Sequence, residues 1–291
     1  MKHVKERVHY RCDDIINKGF KGQGICVAVL DTGIAPHPEF KEQVVGFYDA
    51  VHGVKFPYDD SGHGTHVCGV IAGRQIGMAP KAKLLVWKIL DKKGDGTVKN
   101  SMTAFRWILE NKEKYRIRIV NISAGMTGEP TSLDEARILS GVEALWDAGL
   151  VVVAAAGNKG PGAGTVTTPG ISPKIITVGS LPGGPNQNEY SGCGPTKDCV
   201  CKPDLLAPGS HIYSCNAAYY NGKRVPYVAK SGTSMATPVV SGAIADLLSK
   251  YPDMTNIEVK LRLRESCTDL RLPHNQQGWG LLNVKRLLQI V

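Results

Sequence analysis

The sequence of 291 residues has no apolar run long enough to cross a membrane, no evident repeat and no segment of strongly biased composition. A membrane-spanning helix needs about 20 consecutive apolar residues, and the longest apolar runs here are much shorter. No stretch rich in Ser and Pro marks a linker between domains. We therefore expect one large domain and no membrane partner, since a chain of this length can bury an extensive core.

The first ten residues, MKHVKERVHY, lack the apolar core of a secretory signal. The sequence contains eight cysteines, and Cys26 lies inside an apolar run that is typical of a core strand. An even count would permit disulfide pairing, but disulfides are rare in the reducing cytoplasm. We therefore expect reduced thiols and a cytoplasmic location.

Four of these cysteines raise the question of a metal site. They are Cys193, Cys199, Cys201 and Cys215. Their spacing contains no CxxC pair, which is the usual unit of a structural zinc site. We predict no metal at this cysteine cluster, and zinc binding is the alternative.

The net charge of +9 permits attraction to acidic partners but identifies none. Lys and Arg are spread along the chain, and their densest groups, at 112–118 and 260–264, are typical of solvated helix ends. No aromatic-basic motif of the kind that binds nucleic acids accompanies them. We therefore predict no nucleic-acid partner.

Three short segments each place one reactive side chain among glycines and small residues. VAVLDTG contains Asp31, SGHGTHVCG contains His63, and SGTSMATP contains Ser234. In the order acid, base and nucleophile, these residue types suit a hydrolase that attacks carbonyl carbon with an activated hydroxyl. Singly, each segment also fits an ordinary turn, a surface histidine or a helix start, so the prediction depends on the three occurring together.

Each residue type has a chemical reason to be present. A serine hydroxyl is a weak nucleophile at neutral pH, so His63 would accept its proton and pass it to the leaving amine. Asp31 would accept a hydrogen bond from the other imidazole nitrogen and stabilise the imidazolium. Because Asp31 ends the apolar run 25–30, its carboxylate is predicted at the carboxyl end of a buried strand, where open α/β sheets place their sites.

Strand and helix signals alternate through most of the chain. The run 84–90 predicts a strand, and 97–115 has the apolar spacing of a helix. Ser132 with Glu135 is a capping-box signature for a helix that runs to Ala148. Apolar segments after the histidine and the serine, at 65–72 and 235–250, are also predicted helices. The alternation predicts an α/β fold: a single doubly wound domain with a mostly parallel central sheet flanked by helices.

Together these motifs resemble the subtilisin family of serine proteases, whose triad has the same order. The resemblance extends from about Gly19 to Leu288, and it implies a serine endopeptidase that forms an acyl-enzyme on Ser234. Asn158, which follows the apolar run 151–156 and Gly157, resembles the family's oxyanion-hole asparagine. With the backbone N–H of Ser234, it would hold the negative oxygen of the tetrahedral intermediate.

The resemblance predicts a peptidase domain over residues 19–291 after a short N-terminal extension, residues 1–18. That extension is too short for the sizeable inhibitory pro-domain of secreted members. We therefore expect the intracellular type, with an excised catalytic domain as the alternative, and self-processing limited to a short trim before Gly19.

The resemblance also implies that the substrate is a peptide or an unfolded protein segment. It would pair with two edge strands, predicted at residues 93–96 and 123–125. Lys159 and Thr167 would lie near the far end of the first specificity pocket and favour acidic or polar side chains there. For Lys159, an ordinary loop residue without a part in specificity is the alternative. The predicted substrate-binding residues are Gly94, Asp95, Gly96, Ser123, Ala124, Gly125, Ala155, Gly157, Lys159 and Thr167.

Calcium is not predicted, although some relatives bind it tightly through a loop inserted after the catalytic histidine. Here the chain runs from Ala72 to Met78 without that loop, and Glu39 alone offers a carboxylate. Calcium prefers about 6–8 oxygen ligands. We therefore predict that the chemistry requires no cofactor, with a weaker calcium site as the alternative.

Two other functions stay open at this point. The chain could be a catalytically silent scaffold of the same fold that binds a partner peptide, although the complete set of Asp31, His63, Asn158 and Ser234 speaks against this. The same acyl-enzyme could also serve ester hydrolysis or peptide ligation.

Overall fold

The structure, a computed structural model, describes residues 20–125, 131–181, 190–219 and 225–289. Its strands are β1 (Cys26–Asp31), β2 (Val44–Asp49), β3 (Lys83–Lys88), β4 (Ile117–Ile122), β5 (Val151–Ala155), β6 (Ile176–Leu181), β7 (Leu205–Pro208), β8 (Ile212–Cys215) and β9 (Tyr227–Lys230). Its helices are α1 (His63–Ala72), α2 (Val98–Tyr115), α3 (Ser132–Asp147), α4 (Thr233–Lys250), α5 (Asn256–Ser266), α6 (His274–Gln277) and α7 (Val284–Leu287). Short 3-10 helices span Pro38–Phe40 and Ala217–Tyr219.

Seven of the strands form one parallel sheet in the order β2-β3-β1-β4-β5-β6-β7. All six residues of β1 are buried, because both faces at the centre of a parallel sheet are covered. Helix α1 packs against α4, α2 packs against α3, and all four contact the sheet. The antiparallel pair β8 and β9 lies beside α1. The predicted doubly wound α/β fold is confirmed.

The helix boundaries differ slightly from those that the sequence predicts. Helix α1 begins at His63 itself and α4 at Thr233, each two residues before its predicted start. Strand β3 ends at Lys88, where that side chain turns to bind backbone carbonyl oxygens, two residues before the predicted end.

The predicted capping box at the start of α3 is wrong by one residue. Thr131, not Ser132, is the N-cap, since its backbone is extended and its hydroxyl accepts the N–H of Asp134 at 3.1 Å. Glu135 does not reach back to the cap, because its carboxylate accepts a hydrogen bond from the Thr168 hydroxyl at 3.0 Å.

The proposed N-terminal extension, residues 1–18, lies outside the described residues, and the domain boundary stays a prediction. No helix in the described ranges is both long and apolar enough to span a membrane.

Candidate active site

The carboxyl edge of the central sheet brings the predicted triad residues together. Strand β1 ends at Asp31, α1 begins with His63, and Ser234 lies in the first turn of α4. A β-carbon on Gly64 would lie 2.2 Å from the carbonyl oxygen of Gly33, so only glycine lets the start of α1 approach the end of β1 this closely.

Asp31 and His63 form a short, buried contact. The carboxylate of Asp31 is fully buried, and its Oδ1 lies 2.7 Å from His63 Nδ1. The same oxygen accepts the Thr32 N–H at 2.7 Å. Because an ionised carboxylate can only accept hydrogen bonds, the Nδ1 atom carries the ring proton, and Nε2 of the neutral ring is the acceptor.

The surroundings of His63 raise its pKa above the usual value. Burial of the ring lowers the pKa, but the charge of Asp31 and its hydrogen bond raise it by more. The Lys230 ammonium opposes this increase, and the carboxylate of Asp59 adds to it. The pKa of His63 is therefore shifted upward, chiefly through Asp31.

The loop before His63 is held by Asp59, which the sequence analysis did not identify. One oxygen of its carboxylate accepts the Thr32 hydroxyl at 2.9 Å, and the other accepts the Thr65 hydroxyl at 2.6 Å. It also accepts the backbone N–H groups of Ser61, Gly62 and Thr65. The carboxylate thus fixes the loop between the ends of β1 and α1.

A second residue that was missed is Lys88, whose side chain is fully buried at the end of β3. Its ammonium donates to the carbonyl oxygens of Thr32 and Leu90 at 2.7 and 3.0 Å and to the Asp60 carboxylate at 2.7 Å. The only sequence signal for this role was a lysine inside the apolar run LLVWKIL. A buried ammonium needs hydrogen-bond acceptors around it. Lys88 ties the end of β3 to the segment that follows Asp31.

Asn158 is oriented by Thr233, the residue before the predicted nucleophile. Its Oδ1 accepts both the N–H and the hydroxyl of Thr233 at 3.0 Å, which leaves Nδ2 as the free donor end of the amide. A β-carbon on Gly232 would lie 3.0 Å from Ser234 Oγ and 3.4 Å from Asn158 Nδ2. The amide donor and the hydroxyl therefore border the same small space.

The side chains of His63 and Ser234 line the same cleft, of about 450 Å³, together with Asn158. Among the described residues, no hydrogen bond joins Ser234 Oγ to His63. Catalytic hydrogen bonds are often long without substrate. Eight of the predicted substrate-binding residues line this cleft: Gly94, Ser123, Ala124, Gly125, Ala155, Gly157, Lys159 and Thr167.

The remaining two predicted substrate-binding residues lie elsewhere. Gly96 lines a smaller neighbouring pocket of about 100 Å³, and Asp95 is absent from the lining of both. Residues 93–96 lie in a turn that begins at Asp91, whose N–H donates to Asp95 O at 2.8 Å, with one bridge between Leu90 and Gly96. Neither this segment nor 123–125 is a regular strand in the structure.

Protein donors satisfy the carboxylate of Glu39, the residue considered for calcium. Its Oε1 accepts the Tyr227 hydroxyl and its Oε2 accepts the Gln75 N–H, both at 2.6 Å. Within the described ranges, no group of three His, Cys, Asp or Glu side chains is arranged to hold a metal ion.

Comparison with known proteins finds a matching family profile and similar sequences. A profile described as "Subtilase family" matches residues 22–280. "Serine protease AprX" of Bacillus subtilis is 39% identical over 269 residues, which are 84% of this chain and 61% of AprX. This chain thus spans less than two thirds of AprX. "Subtilisin DY" of Bacillus licheniformis is 33% identical over 96% of each chain.

A solved structure agrees with these matches. It is described as a "cold adapted subtilisin-like serine proteinase", is 30% identical and covers 91% of this chain and 89% of its own, with a TM-score of 0.75. The resemblance that the motifs predict is confirmed: the chain belongs to the subtilase family.

Proposed function

We propose that this subtilase is a serine endopeptidase that hydrolyses peptide bonds through an acyl-enzyme on Ser234. AprX and Subtilisin DY are related over most of this chain, and AprX is described as a serine protease. The observation that carries the assignment of roles is the 2.7 Å contact between Asp31 and His63 beside the cleft that Ser234 and Asn158 also line.

The proposed reaction begins when Ser234 Oγ attacks the carbonyl carbon and His63 Nε2 takes the hydroxyl proton. Asp31 stabilises the imidazolium through the Nδ1 hydrogen bond. Asn158 Nδ2 and the Ser234 N–H donate to the oxygen that becomes negative. His63 then protonates the leaving amine, and water attacks the acyl-enzyme by the same route in reverse.

Labelling with a fluorophosphonate, followed by mass mapping, tests this proposal. Covalent attachment at Ser234 is expected, because the reagent captures a serine activated by its base. Folded protein that takes up no label would instead support the silent scaffold that binds peptides. Parallel assays with amide and ester substrates and with an added amine acceptor measure how the acyl-enzyme partitions between hydrolysis and transfer.

The raised pKa of His63 predicts the acid limb of the activity profile. Since the base must be neutral to accept a proton, kcat/KM should rise with pH around a midpoint above the ordinary histidine value of 6.5. The variant Lys230→Met is the comparison, because loss of its ammonium removes a charge that lowers the His63 pKa and should move the midpoint upward. A flat profile between about pH 5 and 8 would contradict the assignment of His63 as the base.

We propose a peptide or unfolded protein segment as the substrate and no nucleic-acid partner. The irregular segments that border the cleft, 93–96 and 123–125, offer backbone groups with which an extended peptide can pair. The base, the nucleophile and the oxyanion donors are all groups of the chain, so the proposed chemistry requires no cofactor.

We also propose a cytoplasmic location, which the state of the thiols supports. Free thiols include Cys26, Cys68, Cys199, Cys201, Cys215 and Cys267. Burial raises the pKa of the Cys68 and Cys215 thiols well above the usual value, so they must be counted in unfolded protein. Ellman titration of denatured, unreduced protein should find most of the eight cysteines reactive. A majority already paired would overturn the location.

Lys159 predicts a modest preference for acidic or polar side chains just before the scissile bond. Its side chain is exposed at the edge of the cleft, and a partly exposed ion pair contributes about 0.2–1 kcal/mol. A peptide library varied at that position should show at most a several-fold preference for Glu over Lys, and added salt should weaken it. If Lys159→Glu leaves the ranking of these two substrates unchanged, the charge of Lys159 has no part in specificity.

A further inference from the structure

The lysine at the end of β9 has an unusual environment for a side chain that is partly withdrawn from water. Two lysines of the described residues are fully buried, and each pairs with a carboxylate: Lys88 with Asp60 at 2.7 Å and Lys202 with Asp204 at 2.6 Å. A buried ammonium needs such a partner. Lys230 is half-buried, but its ammonium forms no ion pair in the described part of the chain.

The Lys230 ammonium lies beside the proposed base. Its Nζ donates a hydrogen bond to Gly62 O at 3.1 Å, and Gly62 immediately precedes His63. The charge of Lys230 also acts on the imidazole, since it lowers the pKa of His63. An ammonium has three donors, so two donors of Lys230 have no protein acceptor within the described ranges.

The two carboxylates whose charges act on Lys230 have other hydrogen-bond partners. Asp31 accepts from His63 and from the Thr32 N–H, and Asp59 accepts hydroxyl and N–H groups around the loop before His63. The pKa of Lys230 is lowered, because burial has a larger effect than these two charges. Lys230 therefore offers a charge and two donors that suit a further carboxylate.

The position of Lys230 indicates which part of a substrate would bring that carboxylate. Lys159 and Thr167 line the cleft proposed to hold the residue before the scissile bond, and Lys230 is not part of that lining. In the proposed reaction, His63 gives its proton to the leaving amine. The residues that leave with this amine must therefore pass beside His63, where the Lys230 ammonium lies.

We propose that the Lys230 ammonium binds a carboxylate on the leaving segment of the substrate, from a Glu or Asp side chain or from the C-terminus of a short segment. This inference rests on the proposed function and names the substrate class of the same site: peptides that are acidic after the scissile bond. The two spare donors form charge-assisted hydrogen bonds to the carboxylate. Lys159 acts on the residue before the scissile bond, so the two preferences are separate.

Amidated peptides with Ala before the scissile bond test the side-chain source, with Glu or Gln as the first or second residue after that bond. For the wild type, kcat/KM should be about fivefold or more higher for Glu than for Gln at one of these positions, since a half-buried pair contributes more than an exposed one. Added salt should reduce the ratio. Peptides that release Ala-Ala with a free or an amidated C-terminus test the terminal carboxylate by the same ratio.

Substitutions of Lys230 assign the preference to its charge. Lys230→Met should remove the preference, and Lys230→Glu should favour the neutral peptide. The matched control is Lys83→Met, because Lys83 Nζ also donates to a backbone carbonyl, Glu42 O at 2.7 Å. Lys83 begins β3, at the opposite edge of the sheet from the site, so this variant should keep the wild-type ratio.

The acid limb of kcat gives a readout that a purely structural role of Lys230 would not change. Lys230 lowers the pKa of His63, whereas Asp31 and Asp59 raise it. The neighbouring His66 stays neutral, because burial lowers its pKa to about 3. A carboxylate bound to Lys230 offsets the ammonium charge, so the midpoint of kcat should lie at higher pH for the acidic peptide than for its neutral counterpart. In Lys230→Met the two midpoints should coincide.

Fluorophosphonate labelling of Ser234 in each enzyme separates this inference from the proposed function. A variant that is labelled at the wild-type rate has a folded, active site, so its substrate ratio reports carboxylate binding alone. If neither Glu nor a free C-terminus raises kcat/KM of the wild type, or if Lys230→Met slows the cleavage of all peptides by the same factor, Lys230 binds no substrate carboxylate and only holds Gly62. Absence of label and of cleavage in the wild type would refute the proposed function instead.

Discussion

Replacing Ser234 with alanine is expected to abolish peptide cleavage while leaving the fold intact. The substitution removes only the hydroxyl oxygen, so no bulk enters the first turn of α4, and His63 loses the group from which we propose that it accepts a proton. Loss of the nucleophile in a subtilisin, which is this family, lowers kcat by about 10⁶-fold. Cleavage of a fluorogenic peptide and the thermal midpoint of unfolding measure the two parts of the prediction.

The matched control for this variant is Ser231→Ala. Ser231 lies three residues earlier in the same segment, and its hydroxyl accepts the His211 N–H at 2.9 Å rather than bordering the cleft. The Ser231→Ala variant should therefore retain activity. If purified Ser234→Ala retains more than a few per cent of wild-type activity, Ser234 is not the nucleophile.

The second large effect is expected for Asn158→Ala. The Nδ2 atom of Asn158 is the side-chain donor that borders the same space as Ser234 Oγ, and a donor placed for the transition state contributes mainly to kcat. Removal of the corresponding donor in a subtilisin costs about 10²–10³ in kcat. We expect a fall of this size with little change in KM, measured by steady-state kinetics.

Thr233→Ser provides the comparison for Asn158. Serine keeps both the N–H and the hydroxyl that hold Asn158 Oδ1 at 3.0 Å, so activity should persist. An unchanged kcat in Asn158→Ala would show that Asn158 is not a donor of the oxyanion hole, whatever the outcome for Ser234.

The positions of Asp31, His63 and Ser234 at one edge of the sheet were predictable because each residue has a local signal. Asp31 ends an apolar run, and His63 and Ser234 begin apolar helical segments, so their positions at one edge of a parallel sheet follow from the fold class. The start of α3 was less predictable, since adjacent Thr131 and Ser132 can both cap a helix and the choice depends on Glu135 reaching Thr168.

The residues whose hydrogen bonds fix the segments around the site were not predictable from local sequence patterns. Asp59 acts through its hydrogen bonds to Thr32 and to the loop before His63, and Lys88 acts through carbonyl oxygens on separate segments. Thr233 is adjacent to Ser234 in sequence, but its hydroxyl donates a hydrogen bond to Asn158, which is far away in sequence. Each of these roles depends on chain segments that meet only in the folded molecule.

The distribution of the site over β1, α1 and α4 has a consequence for the protein's synthesis. A nascent chain leaves the ribosome amino end first, so Asp31 and His63 emerge long before Ser234. Helix α4, which carries Ser234, packs against five strands that precede it in the chain, so its docking requires contacts between residues far apart in sequence. A nascent chain that ends before α4 therefore lacks Ser234, the proposed nucleophile, and cannot attack itself or the translation machinery through it. Proteolytic activity can appear only after α4 has been synthesised and has packed against the sheet.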